Sequence, residues 1–415
     1  MSPAPDRLAG VRVLDPAVAA LADAPLRLAA GCEWPAALDP AQLWLLPGLH
    51  DLSTRLGEPG PPHPAGLGSE LRAARRGGFD TVLLNPDTDP VIDSAATIEW
   101  IERRAASANG ARLRLLGALT AGLEGRSLAN MDGLRRSGVA GLGQGLRQMP
   151  PADVLLNALR YAAGLDMTVH LHPRDAALHQ GLVGAGAAAS DLGLPGIPAA
   201  AETAAIGTLL ALVEETGCHV HIGRVSTAAG VAWIRWGKQR QLPISADTSL
   251  AHLLLAAAEP GARGDFGRGR HLDPPLRGAA DRQALREGVA DGTLDAICCD
   301  HRPHPADAYL QPLAGVPAGA AGYDSFLPLL LQDPALDALP LERRLSATCH
   351  APAAIMGIRP EEPPMGVLYH PESAWQYAAQ TRVSATSNSP WWGATLRGRP
   401  IGVIIGGECT IFATP

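Results

Sequence analysis

The stretch "PGLHDLSTRLGEPG", Pro47 to Gly60, reads as a buried strand that delivers polar side chains to its end. An apolar run, Leu43 to Leu49, leads into Asp51, followed by Ser53, Arg55, Gly57 and a Glu58-Pro59-Gly60 turn. The period-2 spacing puts positions 51, 53 and 55 on one face. Such a corner suits a metal ion, yet serine and arginine are poor metal ligands.

Downstream, short apolar runs alternate with longer Ala/Leu/Arg segments. Strands are predicted at residues 81–85, 112–119, 138–143, 167–172, 219–223, 242–246 and 295–300. Helices are predicted over 151–166, 199–217, 227–241 and 278–292, with Gly217 and Gly292 as stop signals. Repeated strand–helix alternation without a clear polar strand face predicts a parallel α/β fold buried on both sides. Polar residues gather at strand C-termini: Asn85, His172, Asp247 and Asp300. That end carries the active site of a (β/α)8 barrel. A doubly wound sheet also fits the alternation, but strand number and length favour the barrel. Residues 1–44 and 366–415 look different, with short β-like runs and Gly turns. They are expected to form a small β domain from both termini, flanking a barrel at 45–365. Pro-rich residues 357–366 are a plausible linker. The Ala/Gly-rich stretch 181–193 reads as a flexible loop, and Trp391-Trp392 as packing between barrel and β domain.

The bulk properties agree. The chain has 415 residues, 47% hydrophobic and 18% charged, enough for a sizeable core. Net charge is -7 and no long basic run occurs, which disfavours nucleic acid and anionic membranes as partners. No signal core or apolar run of membrane-spanning length is seen, so a cytoplasmic location is expected. The six cysteines are scattered without a CxxC pair, which reads as buried thiols rather than a zinc knuckle or disulfide framework.

Other stretches have chemical potential. "DGTLDAICCDHRPH" (291–304) ends a buried strand in Asp300, followed by His301 and His304. An acid there could be a general base, a metal ligand or a loop cap. "VHLHPRD" offers His170 and His172, and "HVHIGR" offers His219 and His221, then Arg224. His-x-His on a strand can place two imidazoles on one metal, although single histidines of this kind are more often polar-network residues. "GLGQG" (141–145) lacks nucleotide-loop spacing and reads as a tight turn.

Taken together, "PGLHDLSTRLGEPG", "NPDTDPVID", "LHPRD", "HIGRVSTAAG", "DPPLRGAADRQALREG", "CCDHRPH" and "RGRPIGVIIGG" resemble the dihydroorotases of the amidohydrolase superfamily, in order and spacing and nearly end to end. The resemblance implies a metal-dependent (β/α)8 barrel. In that family the first strand ends Asp-x-His-x-His with both histidines on the metal; here Ser53 and Arg55 stand at those positions. A substrate-binding arginine is replaced by Gly57, and a substrate-binding asparagine by Asp87. Where a carboxylated lysine or an aspartate supplies a ligand, only Gln144 is near. Another ligand histidine is replaced by Arg224. His172, Asp300 at the general-base position, and His304 at a substrate-contacting position remain.

The resemblance therefore extends to inactive dihydroorotase homologues that serve as subunits of aspartate carbamoyltransferase. It implies a chain that is not an enzyme, holds no zinc, self-associates and assembles with the aspartate carbamoyltransferase catalytic chain in pyrimidine synthesis. On this reading the guanidinium groups of Arg55 and Arg224 take the metal's place and pair with Asp51, Asp87 or Asp300. Two alternatives stay open. One is a diverged cyclic amidohydrolase using His172, Asp300 and His221 around one metal. The other is an anion- or nucleotide-sensing subunit using Arg55, Arg224 and Arg302.

Overall fold

The computed structural model describes all residues except 1–6, 16–17, 62, 258–268, 359–363 and 413–415. Eight parallel strands follow one another around a barrel: Leu49–Thr54, Phe79–Leu84, Arg112–Ala118, Gly141–Gly143, Val169–Leu171, Val220–Ile222, Ile244–Ser249 and Ala296–Cys298. Spatial order equals chain order, with no reversal of the kind a doubly wound sheet requires. The first and last strands meet beyond their ends, where the Arg55 amide donates to the His301 carbonyl at 2.9 Å and Thr54 bridges His301 in parallel.

These segments are short and largely buried on both faces, as parallel barrel strands are. Phe79–Leu84 is buried throughout, as are Val169–Leu171 and Val220–Ile222. Helices pack outside. Helix Ala200–Thr216 stops at Gly217, whose φ of 64° closes the last turn. Helix Ala228–Gln239 starts at Thr227, whose hydroxyl accepts the Gly230 amide at 2.9 Å. Its first turn is pinned from below by buried Glu202, which accepts the amides and hydroxyls of both Ser226 and Thr227.

Both ends of the chain build a separate six-stranded sheet. Its order is Arg12–Val13, Trp44–Pro47, Met365–Gln376, Thr395–Ile405, Glu408–Ile411 and Arg27–Leu28. The apolar run before Asp51 therefore serves two sheets: Leu46 pairs with Val367 in the terminal sheet, and after Gly48 the chain enters the barrel. Leu43, Leu45, Leu368 and Ile404 form the sheet's own buried cluster. Trp392 lies edge-on to buried Tyr377 at 5.3 Å and packs on the main core. The stretch 181–193 is more ordered than expected: Val183–Gly184 pairs with Gly196–Ile197, and Ala187–Asp191 is helical. Part of the Pro-rich segment 357–366 lies outside the described residues. No disulfide forms among the described residues, and Cys218, Cys298, Cys349 and Cys409 are buried. Among the described residues no helix is long and apolar enough to cross a membrane.

Candidate functional site

The mouth at the strands' C-terminal ends gathers the polar residues of the sequence into one layer. Asp300 follows the last strand and Arg224 the sixth, and both adopt left-handed backbone, φ 51° and 60°. Non-glycine residues rarely do so, and here the turn aims each side chain across the opening. The Arg224 turn is held by its amide, which donates to Asp247 Oδ1 at 2.6 Å.

Asp300 is the hub. Its Oδ1 accepts from Ser53 Oγ at 2.8 Å, Arg224 Nη1 at 3.2 Å and Arg302 Nε at 3.2 Å; Oδ2 accepts from Arg302 Nη2 at 2.7 Å. Arg55 Nη1 stands 3.9 Å from Oδ1. Burial opposes ionisation, but Arg302, Arg224 and Arg55 outweigh it and hold the carboxyl well below the usual carboxylate range. Asp87 faces the other side of Arg55, accepting from Nε at 3.1 Å and Nη2 at 2.8 Å, and takes the Leu146 amide at 3.0 Å. Burial opposes its charge too; Arg55 overrides this and lowers its pKa. Asn85 donates to Ser53 Oγ at 3.1 Å.

His172 lies with Nε2 3.3 Å from Asp273 Oδ1 and Nδ1 3.4 Å from the Gly223 carbonyl. Burial, then Arg224, pushes its pKa down to about 3, so it is neutral at physiological pH. Asp273 also takes Arg174 Nη1 at 2.7 Å, and its backbone carbonyl takes Arg302 Nη2 at 2.7 Å. His304 is neutral, its pKa pushed down to about 4 by burial, with Nε2 3.2 Å from the Ala318 carbonyl.

The remaining candidates divide. Asp51 points into the barrel; its Oδ1 accepts the Cys299 and Ser53 amides at 2.9 and 3.3 Å. Burial raises its pKa well above normal, and the arginines pair with Asp87 and Asp300 instead. Gln144 ties two loops together, accepting from Thr120 Oγ1 and donating to the Leu123 carbonyl, both at 3.0 Å. Gly57 has φ 72°, and a Cβ there would lie 2.1 Å from the Ala65 carbonyl oxygen, so the loop admits no side chain. His221 is bonded to Ser245 and Asp247, each at 2.9 Å. His170 is buried beside it with both ring nitrogens unpartnered, and His219 is exposed. Asp273 and Arg174 were not singled out from the sequence. The signal was present, since both lie in stretches that carry the resemblance, "DPPLRG" and "LHPRD".

A divalent metal does not fit this arrangement. Arg224 and Ser53 occupy the Asp300 oxygen that would face it. At ~4 Å and an effective dielectric of ~20, each guanidinium repels each unit of positive charge by about 4 kcal/mol. Among the described residues, no group of three or more His, Cys, Asp or Glu could hold a metal ion.

An eight-stranded parallel barrel with its polar cluster at the C-terminal mouth and a sheet built from both termini is the fold of solved hydantoinases. The L-hydantoinase of Arthrobacter aurescens superposes with a TM-score of 0.73 at 18% identity, covering 92% of this chain and 90% of that one. A D-hydantoinase from Thermus sp. does so with 0.72 at 18%, covering 94% and 91%. The dihydro-orotase-like family model matches residues 43–229. A dihydroorotase-like protein of Pseudomonas putida is 39% identical over 361 residues, 85% of this chain and 84% of its own. A dihydroorotase of Anaeromyxobacter sp. strain K is 36% identical over 385 residues, 90% and 87%. The chain belongs to the dihydroorotase-like family. These relatives correct the expectation that the chain is not an enzyme: close homologues bear the name dihydroorotase, and the structural neighbours are hydantoinases. The expectation rested on residue types at single positions, and loss of a particular ligand set does not measure turnover.

Proposed function

We propose that this dihydroorotase-like chain serves pyrimidine synthesis by assembling with the aspartate carbamoyltransferase catalytic chain, and that its barrel mouth is held together without zinc. The observation that carries this reading is the Asp300 hub. Three arginines and Ser53 converge on the partly buried Asp300 carboxylate, which supports a mouth that coheres without a metal while the barrel and terminal sheet stay whole. An intact barrel with an internally bonded mouth suits a protein that also presents a docking surface. Exposed Trp233 and Trp236 on helix Ala228–Gln239 give that surface apolar material. The test is co-expression with the catalytic chain of the same organism, followed by size-exclusion chromatography. Co-elution in one complex with carbamoyltransferase activity is expected. Separate elution, with the catalytic chain fully active alone, overturns the proposal.

A second reading, hydrolysis of a cyclic amide, is favoured by the dihydroorotase name of relatives and by the retention of His172 and Asp300. Hydrolysis of dihydroorotate or a hydantoin that rises with stoichiometric bound metal would establish it. Assembly and hydrolysis could share one complex, but metal-dependent hydrolysis would overturn the part of the first reading that has the mouth without zinc.

A further inference from the structure

Beside the barrel mouth, the loops after the third, fourth and fifth strands and helix Ala200–Thr216 enclose a cleft of about 990 Å³. That is the size of a small-molecule site. Its floor is apolar, with Leu123, Leu146 and Met149, and three arginines face it: Arg126, Arg147 and Arg174.

The charges in the cleft are unequally engaged. Glu124 and Arg126 pair with each other. Asp175 caps its own loop, accepting the Ala177 and Leu178 amides at 2.9 and 3.0 Å. Arg174 gives Nη1 to Asp273, but its buried Nε has no partner. The Arg147 side chain makes no hydrogen bond or ion pair among the described residues, while its amide ties it to the Gln144 carbonyl at 3.2 Å. The acids are thus satisfied and two guanidinium groups keep free N–H donors. We infer that this cleft binds a small organic anion, with an apolar body on the Leu123–Leu146–Met149 floor and a phosphate or carboxylate between Arg147 and Arg174. Neither the Asp300 hub nor assembly with a partner enters this inference.

The site is also wired to the mouth. Arg174 holds Asp273, which touches His172, and whose carbonyl anchors Arg302. An anion drawing on Arg174 changes the field at His172 two contacts away.

Isothermal titration calorimetry of the full chain at low ionic strength tests this with three probes: phenyl phosphate, inorganic phosphate and benzyl alcohol. Phenyl phosphate should bind at least about 10-fold more tightly than phosphate, because the floor adds to the charge, and benzyl alcohol should give no saturable heat. Arg147→Gln, an exposed change that leaves the fold alone, should weaken phenyl phosphate by about 10-fold or more, the worth of one charge-assisted contact. Thr208→Trp, which fills the cleft, should abolish binding with melting unchanged. The inference is overturned if phenyl phosphate fails to bind at millimolar concentration, if it binds no better than phosphate, or if both variants retain wild-type affinity.

Discussion

Replacing Asp300 by asparagine keeps the shape of the hub and removes one charge. In the ion-paired layer, four arginines (Arg55, Arg174, Arg224, Arg302) face three carboxylates, Asp87, Asp273 and Asp300. Asp300→Asn leaves four cations for two anions, whereas Arg224→Met leaves three for three. Breaking a buried pair from the side that strands its partners costs about 3–5 kcal/mol. Unfolding entropy of ~2.1 cal/mol/K per residue gives about 0.9 kcal/mol/K for a chain this long, so Asp300→Asn should lower Tm by roughly 3–6 °C. Arg224→Met should cost clearly less. The pH dependence carries a second signature. A carboxyl whose pKa falls on folding stabilises the fold above its unfolded pKa of about 3.9, and that stabilisation is lost as pH falls toward the folded value. The gap between wild type and Asp300→Asn should therefore be flat from about pH 5 to 8 and close only in strong acid. Differential scanning calorimetry across that range measures both. A change under 1 °C, a larger loss for Arg224→Met, or a gap already closing at pH 6 would refute the account of the hub.

Other outcomes follow from the same structure. Protein expressed with added zinc should carry well under ~0.2 equivalents by mass spectrometry, since the donor set falls short of the three or four that zinc takes, and a chelator should leave its Tm unchanged. Glu202→Ala should cost about 3 kcal/mol or more in denaturant unfolding, because four donors at the start of helix Ala228–Gln239 lose their acceptor. Glu70 is buried and bonded to His301 and Ser384 at 3.0 and 2.7 Å. Burial opposes its charge, but the His301 contact and the other bonds lower its pKa. Its stabilisation should persist above about pH 4.5 and fade below, and Ser384→Ala should remove about 1–3 kcal/mol when measured at pH 7. Gly57→Ala should destabilise by more than the ~1 kcal/mol typical of a left-handed glycine, because the new methyl collides with the Ala65 carbonyl; a neutral result in thermal melts would contradict the loop geometry.

The barrel was legible because short apolar-rich runs such as residues 81–85 and 112–119 recur between helical segments, with polar residues such as Asn85 and His172 at the strand ends. The exception was the run before Asp51. One apolar stretch feeds two sheets, and hydropathy cannot mark the break at Gly48. Asp300, Arg55 and Arg224 could be placed together because they sit at strand ends, where position along the chain predicts position around the mouth. The choice of Asp87 and Asp300 over Asp51 as arginine partners could not be read, since it depends on which way a strand-end carboxylate turns. Asp51 points inward onto two backbone amides. Asp273 escaped notice because it lies outside any strand or helix, with no periodicity to locate it, although "DPPLRG" carried the resemblance.

Gly57 and the left-handed turns at Arg224 and Asp300 differ in how readily they accept a new side chain. At 53, 55 and 224 the backbone already presents a side chain to the mouth, so three exchanges to histidine would meet no steric veto from the main chain. At Gly57 there is no such door. Any residue larger than hydrogen requires the 63–65 segment to move first. Histidines at 53, 55 and 224 and a side chain at 57 are therefore reached by different routes, the first by point substitution and the second only after a loop is rebuilt.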